Sequence, residues 1–209
     1  MTTVLMNPSA DDTTVILASG SATRAGILRN AGLRFSIRRP TVDEAAVRQV
    51  MVEAGDPVEA GARRLADLKA LEISSEIPGA LVIGADQILE CGGQWFEKPE
   101  GPEAAREQLM KLSGRTHRLI SGVSIARDNE VIWRHVDQAV LTVRSLGKEF
   151  LERYLIAMGD RTRESVGGYQ IEGLGSQLFE RVEGDHFTIL GLPLLPTLAF
   201  LRSQGLLED

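Results

Sequence analysis

Apolar residues recur along this chain with two different periods, and the switches between them predict the order of its elements. The run "TVILA" (14–18) reads as a buried strand, and "ATRAGILRNAG" (22–32) as a helix ended by Gly32. "RFSIRR" (34–39) alternates as a second strand before Pro40. "DEAAVRQVMVEAG" (43–55) and "DPVEAGARRLADLKALEIS" (56–74) form two helices parted by Gly55-Asp56-Pro57. The second places Val58, Ala62, Leu65, Leu68 and Leu71 at helical spacing. "GALVIGADQILEC" (79–91) is the most apolar strand region, followed by the turn-rich "GGQWFEKPEG" (92–101) and a helix, "PEAAREQLMKLSG" (102–114).

The middle of the chain changes character. Residues 115–146 read as two long strands joined by a turn at Asp128-Asn129, and 147–158 as a helix. Residues 167–193 are glycine-rich and suit turns and short strands, and "PTLAFLRSQG" (196–205) closes as a helix. The expectation is an α/β protein, a mixed β-sheet flanked by helices in two lobes with a cleft. Residues 1–13 are expected to form a loose extension, and 14–209 one domain.

Composition narrows the function classes. A net charge of −6 provides no global basic field for a nucleic-acid backbone, although clustered cations can still serve a small anion locally. The single Cys91 forbids an internal disulfide, and His117, His135 and His186 lack close ligand spacing. No apolar run approaches the ~20 residues that span a bilayer, and no secretion signal opens the chain. These features predict a soluble cytoplasmic protein that engages neither nucleic acid nor membrane.

Several groups could carry chemistry. Ser19-Gly20-Ser21 lies between a strand and a helix, with Arg24 just inside; a helix start attracts phosphate, while Ser21 also suits an N-cap. Asp86 ends the run Leu81 to Ala85, where a carboxylate can bind a cation, take a proton from water or simply cap a turn. Asp43 suits an N-cap, which leaves Glu44 to join Asp86 as oxygen ligands for Mg²⁺. Lys69 and Lys98 read singly as surface charges; with Arg24 they could neutralise a triphosphate. Glycines 167, 168 and 173 around Tyr169, Gln170 and Glu172 permit a close approach to a ligand or a plain turn cluster. His117 is expected to be a structural hydrogen-bonding residue.

Taken together, "LASGSATRAGIL", "VDE" (42–44), "RLADLKA" (64–70), "VIGADQ" (82–87), "EKP" (97–99), "LSGRTHRLISGV", "GGYQIEGLG" and "EGDHFTILGLPL" resemble the Maf family of nucleoside triphosphate pyrophosphatases, in order through nearly the whole chain. The resemblance implies a fold like that of the Maf and inosine triphosphatase enzymes, and a divalent cation, Mg²⁺ or Mn²⁺. It also implies a homodimer and hydrolysis of a nucleoside triphosphate to monophosphate and pyrophosphate. Carried over by residue, Asp86 is the proton acceptor and Glu44 the second acid close to metal and water. Ser19, Arg24, Lys69 and Lys98 match phosphate-binding positions.

The family usually has Pro-Arg-Arg where this chain has Ala22-Thr23-Arg24, so one arginine is missing. Gln87 and Glu172, at positions where the dTTP and UTP enzymes carry threonine and glutamine, resemble the 7-methyl-GTP branch. That branch usually has tryptophan at the position of Thr23. The competing expectations are a dTTP or UTP pyrophosphatase, an inosine triphosphate pyrophosphatase and a non-catalytic nucleotide-binding regulator of cell division.

Overall fold

The computed structural model describes residues 14–208; the expected extension, 1–13, lies outside the described residues. The elements are β1 (Val15–Ala18), α1 (Ala22–Asn30), β2 (Ser36–Arg38), α2 (Glu44–Ala54), α3 (Val58–Glu76), β3 (Leu81–Cys91), β4 (Gln94–Phe96) and α4 (Pro102–Leu112). After them come β5 (Thr116–Arg127), β6 (Glu130–Val143), α5 (Lys148–Met158), β7 (Phe179–Glu183), α6 (His186–Ile189) and α7 (Leu194–Ser203). The seven strands form a mixed sheet in the order β2-β1-β3-β5-β6-β7, with β4 paired to β3. β1 runs parallel to β2 and β3, whereas β3–β4 and β6–β7 are antiparallel. The expected α/β class with a mixed sheet and packed helices is therefore observed. Among the described residues, no helix is long and apolar enough to cross a membrane.

Two compact units can be distinguished. The first comprises the described residues up to Gln87, Ser121–Asp137 and 186–208. β1 and the first half of β3 are buried on both faces, which explains why β1 reads as an unbroken apolar run. Val15, Leu17, Leu81, Ile83 and Ala85 pack with Leu28, Val123, Leu192 and Leu201 on one side. Ile16, Ala18 and Val82 pack with Ala70 and Ile73 of α3 on the other. Asp128 and Asn129 both adopt positive φ, 52° and 61°, the conformation of a type I′ hairpin, as their position between two long strands predicts.

Helix α3 approaches the sheet backbone to backbone. A Cβ on Gly84 would overlap the Ala66 carbonyl and lie 2.7 Å from the Ala70 nitrogen. One on Gly122 would lie 2.6 Å from the Ala62 carbonyl oxygen. Since Ala62, Ala66 and Ala70 are four apart, one stripe of α3 rests on the two glycines.

The second unit comprises Ile88–Ile120 and Gln138–Asp185. Here α4 and α5 pack with the 3₁₀ turns Gly159–Arg163 and Val166–Gly168. A further 3₁₀ turn, Leu174–Leu178, precedes the short strand β7, so the glycine-rich segment holds turns and a short strand, as expected. His117 is buried, its Nε2 lying 2.7 Å from the Tyr169 hydroxyl, as the structural reading expects. Its Nδ1 is buried without a hydrogen-bond partner. Burial lowers the His117 pKa to about 4, against the opposing pull of Glu90. Burial also pushes the Tyr169 and Tyr154 hydroxyls up, so both stay neutral at physiological pH.

Two outcomes follow from this packing. Gly84→Ala should destabilise the protein by about 3 kcal/mol, because neither backbone can yield without moving α3. Gly26→Ala, in α1 with open space around it, should instead stabilise by about 0.5–1 kcal/mol. Urea denaturation of both variants measures the contrast. The second outcome concerns pH. An unfolded histidine takes up a proton below about pH 6.5, whereas folded His117 resists protonation until about pH 4. Its contribution is therefore complete above pH 6.5 and declines by about 3 kcal/mol as the pH falls to 4. Melting curves across that range should show a slope that His117→Phe reduces.

Candidate active site

The site begins with strand alternation. Leu81, Ile83 and Ala85 face α1 and α7, so Val82, Gly84 and Asp86 face α3. On α3, Lys69 falls between Ala66 and Ala70, in the stripe seated on Gly84. Lys69 and Asp86 are therefore driven together, and both are buried, at 5% and 3% exposure. Lys69 Nζ donates to Asp86 Oδ1 at 2.7 Å and meets Glu44 Oε1 at 2.6 Å. The general preference for a solvated surface lysine does not hold at Lys69, because close helix-to-sheet packing leaves its head no route to water.

Glu44 opens α2, whose N-cap is Asp43: the Asp43 Oδ1 accepts from the Ala46 N–H at 3.0 Å, as expected. One turn on, Arg48 Nη2 donates to Glu44 Oε2 and to Asp86 Oδ2, both at 3.2 Å. The two carboxylates are thus joined twice, through Lys69 and through Arg48. Of these partners, only Lys69 and Asp86 form a fully buried pair, and removing one of the two strands the other charge, at a cost of about 3–5 kcal/mol. Arg48 is the site residue that sequence reasoning missed. Its signal was present: an arginine four positions after Glu44 on a predicted helix shares that glutamate's face.

Arg24 lies on the opposite side of β3. Its Nε donates to the Gly191 carbonyl at 2.8 Å, and its Nη1 to the Ala85 carbonyl at 2.9 Å and Ser19 Oγ at 3.2 Å. Burial lowers the Arg24 pKa from its ordinary value, the fields of Asp86 and Glu44 oppose that change, and Arg48 adds to it. Ser21 is indeed the N-cap of α1, accepting from the Arg24 N–H at 3.3 Å, while Ser19 Oγ accepts from the Ser21 N–H at 3.2 Å. Ser19 is buried, and Thr23 sits half-buried in the first turn. Three cations, Arg24, Lys69 and Arg48, thus accompany two carboxylates, leaving a local surplus of positive charge in a chain of net charge −6.

Gln87, on the Ala85 face, has its amide nitrogen 3.0 Å from the Thr188 and Ile189 carbonyls and from Ser121 Oγ. Two carbonyls facing one amide fix which end is nitrogen, so the donors of Gln87 are spent inside the protein. Ser121 Oγ donates to the same Thr188 carbonyl, and Thr188 Oγ1 to Asp137 Oδ2, both at 2.8 Å. Lys98 and Glu172 belong to the second unit. Both are exposed, Lys98 after β4 and Glu172 before the 3₁₀ turn Leu174–Leu178. The structure therefore brings Ser19, Arg24, Glu44, Lys69, Asp86 and Gln87 together in the first unit.

Glu44 and Asp86 suit a hard divalent ion, which takes one or two carboxylates and completes its shell with water and phosphate oxygens. The chemistry of the donor set fits, since a cationic nitrogen already lies within 2.7 Å of an oxygen of each carboxylate. Among the described residues, no group of three or more His, Cys, Asp or Glu could hold a metal without such added ligands.

A family model described as "Maf-like protein" matches residues 14–204. A "7-methyl-GTP pyrophosphatase" from Brucella abortus is 48% identical over 194 residues, covering 93% of this chain and 98% of that protein. A "Nucleoside triphosphate pyrophosphatase" from Paramagnetospirillum magneticum is 50% identical, covering 91% and 98%. A protein with the same name from Nitrobacter hamburgensis is 52% identical, covering 93% and 95%.

Replacing Gln87 with alanine should leave the Thr188 and Ile189 carbonyls short of donors and destabilise the fold by about 1–3 kcal/mol. Chemical denaturation checks this, and an unchanged midpoint would show that the amide contributes nothing to holding that turn.

Proposed function

The chain belongs to the Maf-like protein family, and from that premise we propose that it is a nucleoside triphosphate pyrophosphatase acting on 7-methyl-GTP. The observation that carries the hydrolytic reading is the buried Asp86 beside Glu44, set among Arg24, Arg48 and Lys69. Such a site pairs a proton acceptor with the positive charge that a polyphosphate needs.

In the proposed reaction, Asp86 accepts a proton from water as the water oxygen attacks the α-phosphorus. The bond from that phosphorus to the bridging oxygen of the β-phosphate breaks, and pyrophosphate leaves. Ser19, Arg24, Lys69 and Lys98 hold the β- and γ-phosphates, which makes pyrophosphate the leaving group. A divalent cation, Mg²⁺ or Mn²⁺, would be held by Glu44 and Asp86 and would neutralise phosphate charge.

The choice of base rests on Glu172. Guanine presents N1–H and an exocyclic amine side by side, and a carboxylate accepts from both. Methylation at N7 makes the ring cationic, which a carboxylate favours further. A uracil or thymine edge sets an acceptor against that acceptor and loses roughly 1–3 kcal/mol. The name of the Brucella relative supports the same substrate. Gln87 enters this reading through position, because its donors already hold the turn at Thr188 and Ile189. As Maf relatives imply, we propose a homodimer.

The test is pyrophosphate release from 7-methyl-GTP, GTP, dTTP, UTP and ITP with Mg²⁺, using folded Asp86→Asn as the control. The expected result is monophosphate plus pyrophosphate, fastest with 7-methyl-GTP and abolished in the variant. Preference for dTTP or UTP would overturn the substrate, and undiminished hydrolysis by Asp86→Asn would overturn the mechanism.

A further inference from the structure

All four carboxylate oxygens at the site are capped. Lys69 takes Asp86 Oδ1 and Glu44 Oε1, and Arg48 takes Asp86 Oδ2 and Glu44 Oε2. In this arrangement each acid oxygen is already committed to a cation. Each oxygen keeps a second lone pair, but a resident cation repels an incoming metal ion or proton, so release of one cation favours both. The geometry distinguishes the two candidates. The Lys69 contacts are short, at 2.6 and 2.7 Å, and come from a helix pressed into the sheet. The contacts of Arg48 to these two carboxylates are both 3.2 Å, and both use Nη2.

The helices that carry them differ in the same sense. Helix α3 buries nine residues, among them Lys69, whereas α2 buries none. An open pocket of about 490 Å³ lies against the two helices, lined by Val47, Val50 and Met51 from α2 and by Arg64 and Leu68 from α3. Glu44 and Arg48 thus tie α2 to the site by charge where apolar packing is incomplete. The Arg48 end of the ring is carried by a helix with no fully buried residue.

We infer that Arg48 is an exchanging arginine. In the free protein it closes the Glu44–Asp86 pair, and on substrate binding it passes from the carboxylates to the triphosphate, freeing Asp86 Oδ2 and Glu44 Oε2. This rests on the reading of Glu44 and Asp86 as the metal-holding acids, and no sequence motif quoted above includes Arg48. The exchange conserves charge pairing, because a guanidinium binds phosphate oxygens as readily as carboxylate oxygens. It also supplies a further cation to the phosphates. A divalent ion alone meets a site with surplus positive charge, so metal binds the free protein weakly and enters with the nucleotide.

The experiment measures binding without turnover. Mn²⁺ affinity of the free protein is read by electron paramagnetic resonance, and affinity for α,β-methylene-GTP with Mg²⁺ by calorimetry. Arg48→Gln removes the competitor from the carboxylates, so Mn²⁺ binding should tighten by about tenfold while the analogue weakens by about tenfold. Unchanged Mn²⁺ affinity, or weakening of both ligands, overturns the inference. If Arg48→Gln does not fold, Arg48→Lys serves: its shorter reach leaves one carboxylate less well capped, and Mn²⁺ binding should still tighten. No change in Arg48→Lys likewise overturns the exchange. Failure to hydrolyse any nucleotide would instead strike the proposed function, and the Mn²⁺ titration is independent of it.

Discussion

The site depends on one contact that involves no functional group, the seating of α3 on Gly84 and Gly122. Where a side chain would stand on either residue, the backbone of α3 stands instead. That approach puts Lys69, in the same stripe as Ala66 and Ala70, beside the carboxylate two residues beyond Gly84. Period two on the strand and period 3.6 on the helix meet at this point, and the buried ion pair follows. Had α3 stood a side chain further out, Lys69 could have carried its charge to water along its flexible stem.

From that pair the electrostatics extend outward. Asp86 and Glu44 share Lys69 and Arg48, and the paired charges bring α2 to the site although none of its residues is buried. On the other face of β3, Arg24 binds the Ala85 and Gly191 carbonyls, and Gln87 binds those of Thr188 and Ile189. Ala85, Asp86 and Gln87 are therefore each held by polar contacts from different parts of the first unit. Such fixing limits reorganisation at the reacting groups, the usual source of electrostatic preorganisation. The α2 edge is the exception, held by charge with an open apolar pocket beside it, and in the proposed exchange it is the edge from which the anion takes a cation.

The two units use buried polarity differently. In the first, cations and carboxylates compensate one another beside β1 and the start of β3, which are buried on both faces. In the second, His117 and Tyr169 share one short hydrogen bond, and burial keeps both rings neutral. A neutral pair needs no compensating ion, so His117 and Tyr169 carry no charge at physiological pH.

Much of this was legible from residues alone. Continuous apolar runs marked strands covered on both faces, and the caps at Ser21 and Asp43 and the Asp128-Asn129 turn were determined locally by their own side chains and dihedral preferences. The family and the acid pair Glu44 and Asp86 were legible because motif spacing is a property of the chain. Burial of Lys69 was not, since it depends on two glycines, Gly84 and Gly122, that lie fifteen and fifty-three positions further along the chain. Nor was the role of Arg48: helical spacing sets it beside Glu44, but only the packing of α2 near β3 lets one guanidinium nitrogen reach Asp86 as well. Local chemistry and period were thus written in the sequence. Which charges would lose their water, and which cation would take its place, was decided by tertiary structure, because desolvation depends on what the rest of the chain puts on top of a group.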